Sequence, residues 1–269
     1  MKRIVTVNDL HCGNVAGLTP PNFNPRSQEE EKMFRYRAAL YRWYKDEMDK
    51  LQPIDICVCN GDAIDGQGKK TGGTEQLTTD RLKQIDMATK CLLDVNAAKY
   101  HFSYGTGYHV GPEEDMEREI AKNFEAPIKD VTTIEMRGIV MKWRHHIGTS
   151  QSPQGRATAL LKEQQWDLNW AWGSEFPFAD ILTFGHAHYF EHVMNRLGAI
   201  FISPGLQGLD GSSYGGRRMG GIVDFGFLHF DVEDNGEYTW RNHRLLQTHA
   251  VRNGILPQDV LAGELVPLG

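Results

Sequence analysis

Five short strings in this chain hold residue types that bind cations or move protons. They are Asp9-Leu10-His11, Asn60-Gly61-Asp62, Gly105-Thr106-Gly107-Tyr108-His109, His145-His146-Ile147-Gly148 and Gly185-His186-Ala187-His188. Each follows a strand-like segment. In Asp9-x-His11 and His186-x-His188 the two ligand types are two residues apart, the spacing at which side chains on a strand point the same way. Carboxylates and imidazoles aimed into one crevice suit divalent first-row ions such as Mn, Fe, Co, Ni or Zn. A carboxylate has two oxygens, so one Asp can bridge two ions. Taken singly the strings are weak signals, since a strand-end Asp often caps a helix and an isolated His is usually a surface residue. Together, with six of the eleven histidines inside them, they predict a metal site at the C-terminal edge of a sheet.

The elements that must position these residues alternate. A β-branched run at 3–8 reads as a buried strand, followed by a Gly- and Pro-containing loop over 12–26. Ser27 and Glu30 have capping-box spacing. Met33, Tyr36, Leu40, Tyr44, Met48 and Leu51 then recur at steps of three and four, which predicts an amphipathic helix. Residues 54–59 form the next strand and 66–76 a polar, Gly-rich loop. Leu82, Ile85, Leu92 and Val95 mark a second helix, 100–104 a strand, and Met116, Ile120 and Phe124 a third helix. Residues 132–136 and 139–143 bracket Arg137-Gly138 as a hairpin. Residues 157–172 form a helix with Leu161, Leu168 and Trp172 on one side. Strands follow at 181–184, 199–202 and 222–232, and Asp234-Asn235-Gly236 is a hairpin turn. The alternation predicts an α/β layered domain.

The chain has 269 residues, enough for one large domain, and we expect a single domain over 1–269 with the motifs within 4–232 and a C-terminal hairpin and tail over 233–269. With 40% hydrophobic and 24% charged residues it reads as a soluble globular protein. No apolar run approaches transmembrane length, and the start runs straight into a strand with no signal-peptide pattern. Cys12, Cys57, Cys59 and Cys91 are expected to be buried free thiols in a reducing, cytoplasmic compartment. A net charge of −6 argues against a large nonspecific nucleic-acid surface. It leaves room for a small nucleic-acid substrate, because two divalent cations would add local positive charge.

The motif order D-x-H, G-D, G-(N)-H, H-x-(G/P), G-H-x-H resembles the calcineurin-like metallophosphoesterase family over roughly residues 4 to 232. The resemblance implies a two-sheet β-sandwich flanked by helices, the four-layer metallophosphoesterase-like fold. It implies two divalent ions, manganese foremost, with Asp9, His11, Asp62 and His188 around the first and Asp62, His146 and His186 around the second. Asp62 stands at the bridging position, and a shared hydroxide would be the nucleophile. His145 and His146 compete for one ligand role. In the family the ligand is often followed two residues on by Gly or Pro, and Gly148 favours His146, leaving His145 to the opposite face or to a place behind the ligands. The third motif departs from the family's Gly-Asn-His. Thr106 stands where the Asn would be and offers a hydroxyl, a carbonyl or no ligand at all. His109 is the candidate leaving-group imidazole, as general acid or charge stabiliser.

The implied activity is hydrolysis of a phosphoric ester. A phosphodiesterase is favoured, as nuclease or cyclic-nucleotide hydrolase, so nucleotides and nucleic acids are candidate substrates and a membrane is not. The alternatives are a phosphomonoesterase or protein phosphatase, and a non-catalytic binding protein with a decayed metal site. Substrate choice would lie in loops 12–26, 66–76 and 207–220. Arg217-Arg218 could bring guanidinium groups onto a phosphate, although a solvated basic turn is the commoner use of such a pair. Trp166, Trp170 and Trp172 could stack on a base, although packing on the core is the commoner fate of such a helix face. The remaining histidines outside the motifs read as structural.

Overall fold

The computed structural model describes residues 1–24, 31–68, 72–110, 115–174, 176–209 and 223–261. The capping box at Ser27 and Glu30 and the pair Arg217-Arg218 lie outside the described residues, as does most of the loop over 207–220.

Two mixed sheets face each other. The first contains β1 (Lys2–Val7), β2 (Ile54–Asn60), β3 (Ala97–Ser103), β4 (Ile128–Lys129), β10 (Phe225–Val232) and β11 (Tyr238–Leu245), in the order β11-β10-β1-β2-β3-β4. Strands β1 to β4 run parallel, and β10 joins β1 antiparallel. The second contains β5 (Val131–Met136), β6 (Ile139–Arg144), β7 (Ile181–Phe184), β8 (Glu191–Asn195) and β9 (Gly198–Ile202), in the order β5-β6-β7-β9-β8. Here β6, β7 and β9 run parallel and the hairpin at Arg137-Gly138 joins β5 to β6. Strand β8, whose exposed Glu-His-Val-Met-Asn sequence alternates weakly, has no counterpart in the sequence reading.

Apolar residues fill three interfaces between four layers. On the outer face of the first sheet, Tyr36, Leu40, Tyr44 and Met48 of α1 (Glu31–Lys50) and Ile85, Ala88 and Leu92 of α2 (Arg81–Leu93) pack with Val5, Val7, Cys57 and Cys59. All four cysteines are buried and free. Between the sheets lie Ile4, Ile56, Val58, Met141, Trp143, Phe201 and Phe230. Trp143 is wholly buried there and its indole N–H donates to Thr6 Oγ1 at 2.8 Å, which satisfies a polar atom that burial would otherwise penalise. Behind the second sheet, Leu160 of α5 (Pro153–Gly173) packs on Leu182, Phe184, Ile200 and Ile202.

Helix α5 departs from expectation. It docks through Leu160 and Gln164, so Leu161, Trp166, Trp170 and Trp172 stay exposed, Trp172 at 88%. Packing of the tryptophan face on the core, the expected arrangement, is therefore overturned. Among the described residues no helix is long and apolar enough to cross a membrane.

Candidate metal centre

The parallel strands β1, β2, β3, β6 and β7 all deliver their carboxyl ends to one edge, the place where open α/β sheets form ligand crevices. The functional pairs sit just beyond the strands, not on them. Asp9 and His11 follow β1 with φ of 51° and 43°, Asp62 follows β2 at 51°, and His186 and His188 follow β7 at 68° and 54°. Left-handed backbone at a non-glycine residue costs about 1–3 kcal/mol and collects at functional sites. Turns, then, aim these side chains together, and the strand periodicity assumed from sequence does not. The first two turns run side by side, with Asp9 N–H donating to Gly61 C=O and His11 N–H to Asp62 C=O, both at 3.0 Å. Gly61, at φ 82°, leaves room for a neighbour: a Cβ there would come within 2.5 Å of His145 Nδ1.

Three groups of ligand-type atoms converge: Asp9, His11 and His188; His11, Asp62 and His109; and Asp62, His145 and His186. Of the fourth motif's two histidines, His145 joins the third group and His146, the expected ligand, does not. His145 is 1% exposed and its Nε2 stands 2.9 Å from Asp62 Oδ2, whereas His146 is exposed and stacks on His186 at 4.6 Å. The reason is the phase of β6. Met141 and Trp143 face the core, so position 145 continues inward and 146 outward. Two large apolar residues at alternate positions were the signal in the sequence that could have decided this.

Each of three imidazoles is held by Nδ1. His11 Nδ1 donates to Asp65 Oδ1 at 2.8 Å, His145 Nδ1 to Asn60 C=O at 2.7 Å and His109 Nδ1 to Asp65 C=O at 2.8 Å. An oxygen acceptor at Nδ1 fixes the tautomer and turns the Nε2 lone pair towards the centre, the usual support for a metal-bound His. The buried Asp65 was missed from sequence. Its only signal was a second carboxylate three residues after Asp62. Glu117, on α4 (Met116–Lys122), was missed too. It is buried, accepts from Gly105 N–H at 2.7 Å and Ala63 N–H at 3.3 Å, and so ties the second and third motifs together.

The third motif enters a short turn, α3 (Gly107–Val110), after β3. His109 Nε2 stands 3.9 Å from Asp62 Oδ2, and its ring meets that of His11 edge-on at 4.7 Å. Thr106 N–H donates to Asp62 Oδ1 at 2.6 Å, which leaves Oδ2 turned towards both His145 and His109. The Thr106 hydroxyl lies 3.1 Å from Asp62 Oδ2, 3.4 Å from His145 Nε2 and 3.2 Å from His186 Nδ1.

The electrostatics match. Burial pushes the Asp9 carboxyl up, but His188, His11 and His145 outweigh it and hold it well below the usual range. Asp62 is likewise lowered against its burial by His145 and His109. His145 is pushed up to about 10, because its carboxylate neighbours Asp62 and Asp9 overcome burial. His186 falls to about 4 through burial. Glu117 rises to about 7 through burial and the nearby Asp62.

One atom tests whether a cation fits. Asp9 Oδ1 is buried without a hydrogen-bond partner among the described residues, yet Nε2 of His188, His11 and His145 stand 3.2, 3.7 and 3.9 Å away. A buried acceptor left unpaired costs about 1–3 kcal/mol, more when charged. A cation among these imidazole lone pairs would satisfy it, and mixed carboxylate and imidazole donors suit divalent first-row ions.

No family model and no curated protein matches the sequence. Solved structures similar to this chain include Vps29 from Chaetomium thermophilum, at 11% identity over 92% of this chain and 100% of that one with a TM-score of 0.48. A single mutant of Vps29 from Entamoeba histolytica matches at 16% identity over 91% and 99%, with a TM-score of 0.46. A novel archaeal phosphodiesterase matches at 15% identity over 90% and 99%, with a TM-score of 0.43. The site stands on its own geometry. The chain is an α/β protein of two facing mixed sheets flanked by helices, with its motifs converging at the carboxyl ends of the strands.

Proposed function

We propose that the chain is a dinuclear metal-dependent phosphoesterase that favours phosphodiesters. The observation that carries the reading is that buried His11 and His145 are anchored at Nδ1 and turn Nε2 towards Asp9 and Asp62, with His188 Nε2 also on Asp9. Asp9, His11, Asp62 and His188 would hold the first ion. Asp62, His145 and His186 would hold the second, with Asp62 Oδ2 facing both sides. Bound there, the cations would supply Lewis-acid stabilisation of the phosphoryl oxygens and lower the pKa of water.

The chain's own residues do the rest. Asp65 holds His11 and His109 in orientation. Protonated His109 donates from Nε2 to the leaving oxygen while its Nδ1 stays on Asp65 C=O. Glu117 keeps the Asp62 and Thr106 turns in register. The described ion pairs of Asp9, Asp62 and Asp65 are with histidines. Manganese is the first choice of metal, and nucleotides or nucleic acids are the first substrates to try.

A second reading, a non-catalytic protein with a decayed site, draws on Thr106 standing where the family has Asn. The test is a panel with Mn²⁺: bis-p-nitrophenyl phosphate, p-nitrophenyl phosphate, cyclic nucleotides and DNA. Faster turnover of the diester supports the proposal. Metal uptake without hydrolysis of any of them would leave the second reading.

A further inference from the structure

We propose that Thr106 is itself a ligand of the second cation, its hydroxyl oxygen completing a four-donor set with Asp62 Oδ2, His145 Nε2 and His186 Nδ1. The inference rests on the dinuclear reading above and adds a residue that the family's pattern does not provide.

The argument begins with spacing. The Thr106 hydroxyl oxygen lies 3.1, 3.4 and 3.2 Å from those three atoms, and His145 Nε2 lies 2.9 Å from Asp62 Oδ2. Bonds of about 2.1 Å to a divalent ion place neighbouring donors about 3.0 Å apart at right angles and about 3.4 Å apart in a tetrahedron. The four separations given above fall at about these values.

The same atoms can share a proton or a cation. A hydroxyl has one proton to donate, and here it faces a carboxylate oxygen and two ring nitrogens. His145 Nδ1 donates to Asn60 C=O, so in the neutral ring Nε2 presents a lone pair. Asp62 Oδ2 is a lone-pair atom as well. A cation at their centre satisfies all of them together.

The backbone fixes Thr106 in this place. Its N–H donates to Asp62 Oδ1 at 2.6 Å, and the preceding Gly105 N–H donates to the buried Glu117 carboxyl at 2.7 Å. The side chain therefore projects from a turn clamped on both sides. A threonine hydroxyl reaches less far than an asparagine amide. The turn carries it inward, which is how a chain with Thr at this position can keep the second site.

The test uses the full chain and three substitutions. Thr106→Val keeps shape and removes the donor, Thr106→Ser keeps the hydroxyl, and Thr106→Cys offers a thiolate. In a Mn²⁺ titration the wild-type chain is expected to take two ions. Thr106→Val should keep the tighter ion at wild-type affinity and weaken the other at least tenfold, with Thr106→Ser close to wild type. With Co²⁺ as probe, Thr106→Cys should gain a thiolate-to-cobalt charge-transfer band in the near ultraviolet as the second ion enters, a signature that a residue acting only by orienting Asp62 would not produce. Unchanged affinity for the second ion in Thr106→Val, or two bound Co²⁺ ions in Thr106→Cys without that band, would overturn the assignment and leave the dinuclear reading standing. A wild-type chain that takes only one ion would overturn both.

Discussion

The Nε2 atoms of His11 and His188 stand 3.2 Å apart, although 177 residues separate them in the chain. Both are buried, and both lie close to Asp9 Oδ1. His11 gives its other ring nitrogen to Asp65, so the Nε2 it turns to His188 carries a lone pair in the neutral ring. Two nitrogens and a carboxylate oxygen at such separations could hold a cation.

Asp62 belongs to two of the three ligand groups, with His11 and His109 on one side and His145 and His186 on the other. Asp62→Asn should therefore strip both ions and abolish hydrolysis, whereas loss of a ligand to one ion should spare the other. Elemental analysis of the purified variant is the check. Wild-type metal content in Asp62→Asn would remove it from the bridging position.

His145 and His146 differ in burial and in what they face, and their substitutions should differ as sharply. His145→Ala should lose the second ion, because its Nε2 is 2.9 Å from Asp62 Oδ2. His146→Ala should keep both ions, since that ring is exposed and stacks on His186. Isothermal titration with Mn²⁺ separates the two. Loss of an ion only in His146→Ala would reverse the assignment.

His109 touches the site edge-on and lies outside the donor sets proposed for the two ions. His109→Ala should keep its metal and lose roughly 10²–10⁴ in rate, the range for removing a general acid or base. The loss should be smaller with a nitrophenyl leaving group, which needs little protonation, than with an alkyl or sugar one. Rates with two such substrates and metal content measured on the same sample decide it. Equal losses with metal retained would reduce His109 to positioning, and loss of metal would make it a ligand.

Away from the site, His229 Nδ1 and His243 Nε2 are 2.7 Å apart, and His243 Nδ1 donates to Glu47 of α1 at 2.9 Å. Burial, with the neighbouring His243, lowers His229 to about 4, and burial lowers His243 despite Glu47. In the unfolded chain both titrate near the ordinary value of about 6.5, so the unfolded state binds more protons below that pH. Their contribution to stability should be fully present above about pH 6.5 and should fall away as pH drops towards about 4. Thermal melts from pH 7.5 to 4.5 should show this slope, and His229→Asn should flatten it whatever it does to the melting temperature at neutral pH. Parallel slopes for the variant and the wild-type chain would exclude the pair as its source.

Much of this protein can be read locally. β-branched runs closed by Gly, Asp and His mark strand ends, and steps of three and four mark α1, because strand and helix periods are properties of consecutive residues. The five strings and their order are visible for the same reason, and they point to a crevice at the carboxyl ends of the strands.

Phase and partnership are decided elsewhere. Whether His145 or His146 turns inward depends on which face of β6 meets the facing sheet, and Trp143 against Thr6 of β1 fixes that. The tryptophans of α5 are exposed because the helix docks on β8 and β9 through Leu160 and Gln164, and β8 itself forms by pairing with β9. Asp65, Glu117 and the Thr106 hydroxyl gain their roles from contacts across turns distant in sequence. The sequence by itself settles which residues could serve a metal and which elements bear them. The tertiary structure alone settles which of them come together, because ligation needs several atoms within bonding reach of one point, and chain packing sets those distances.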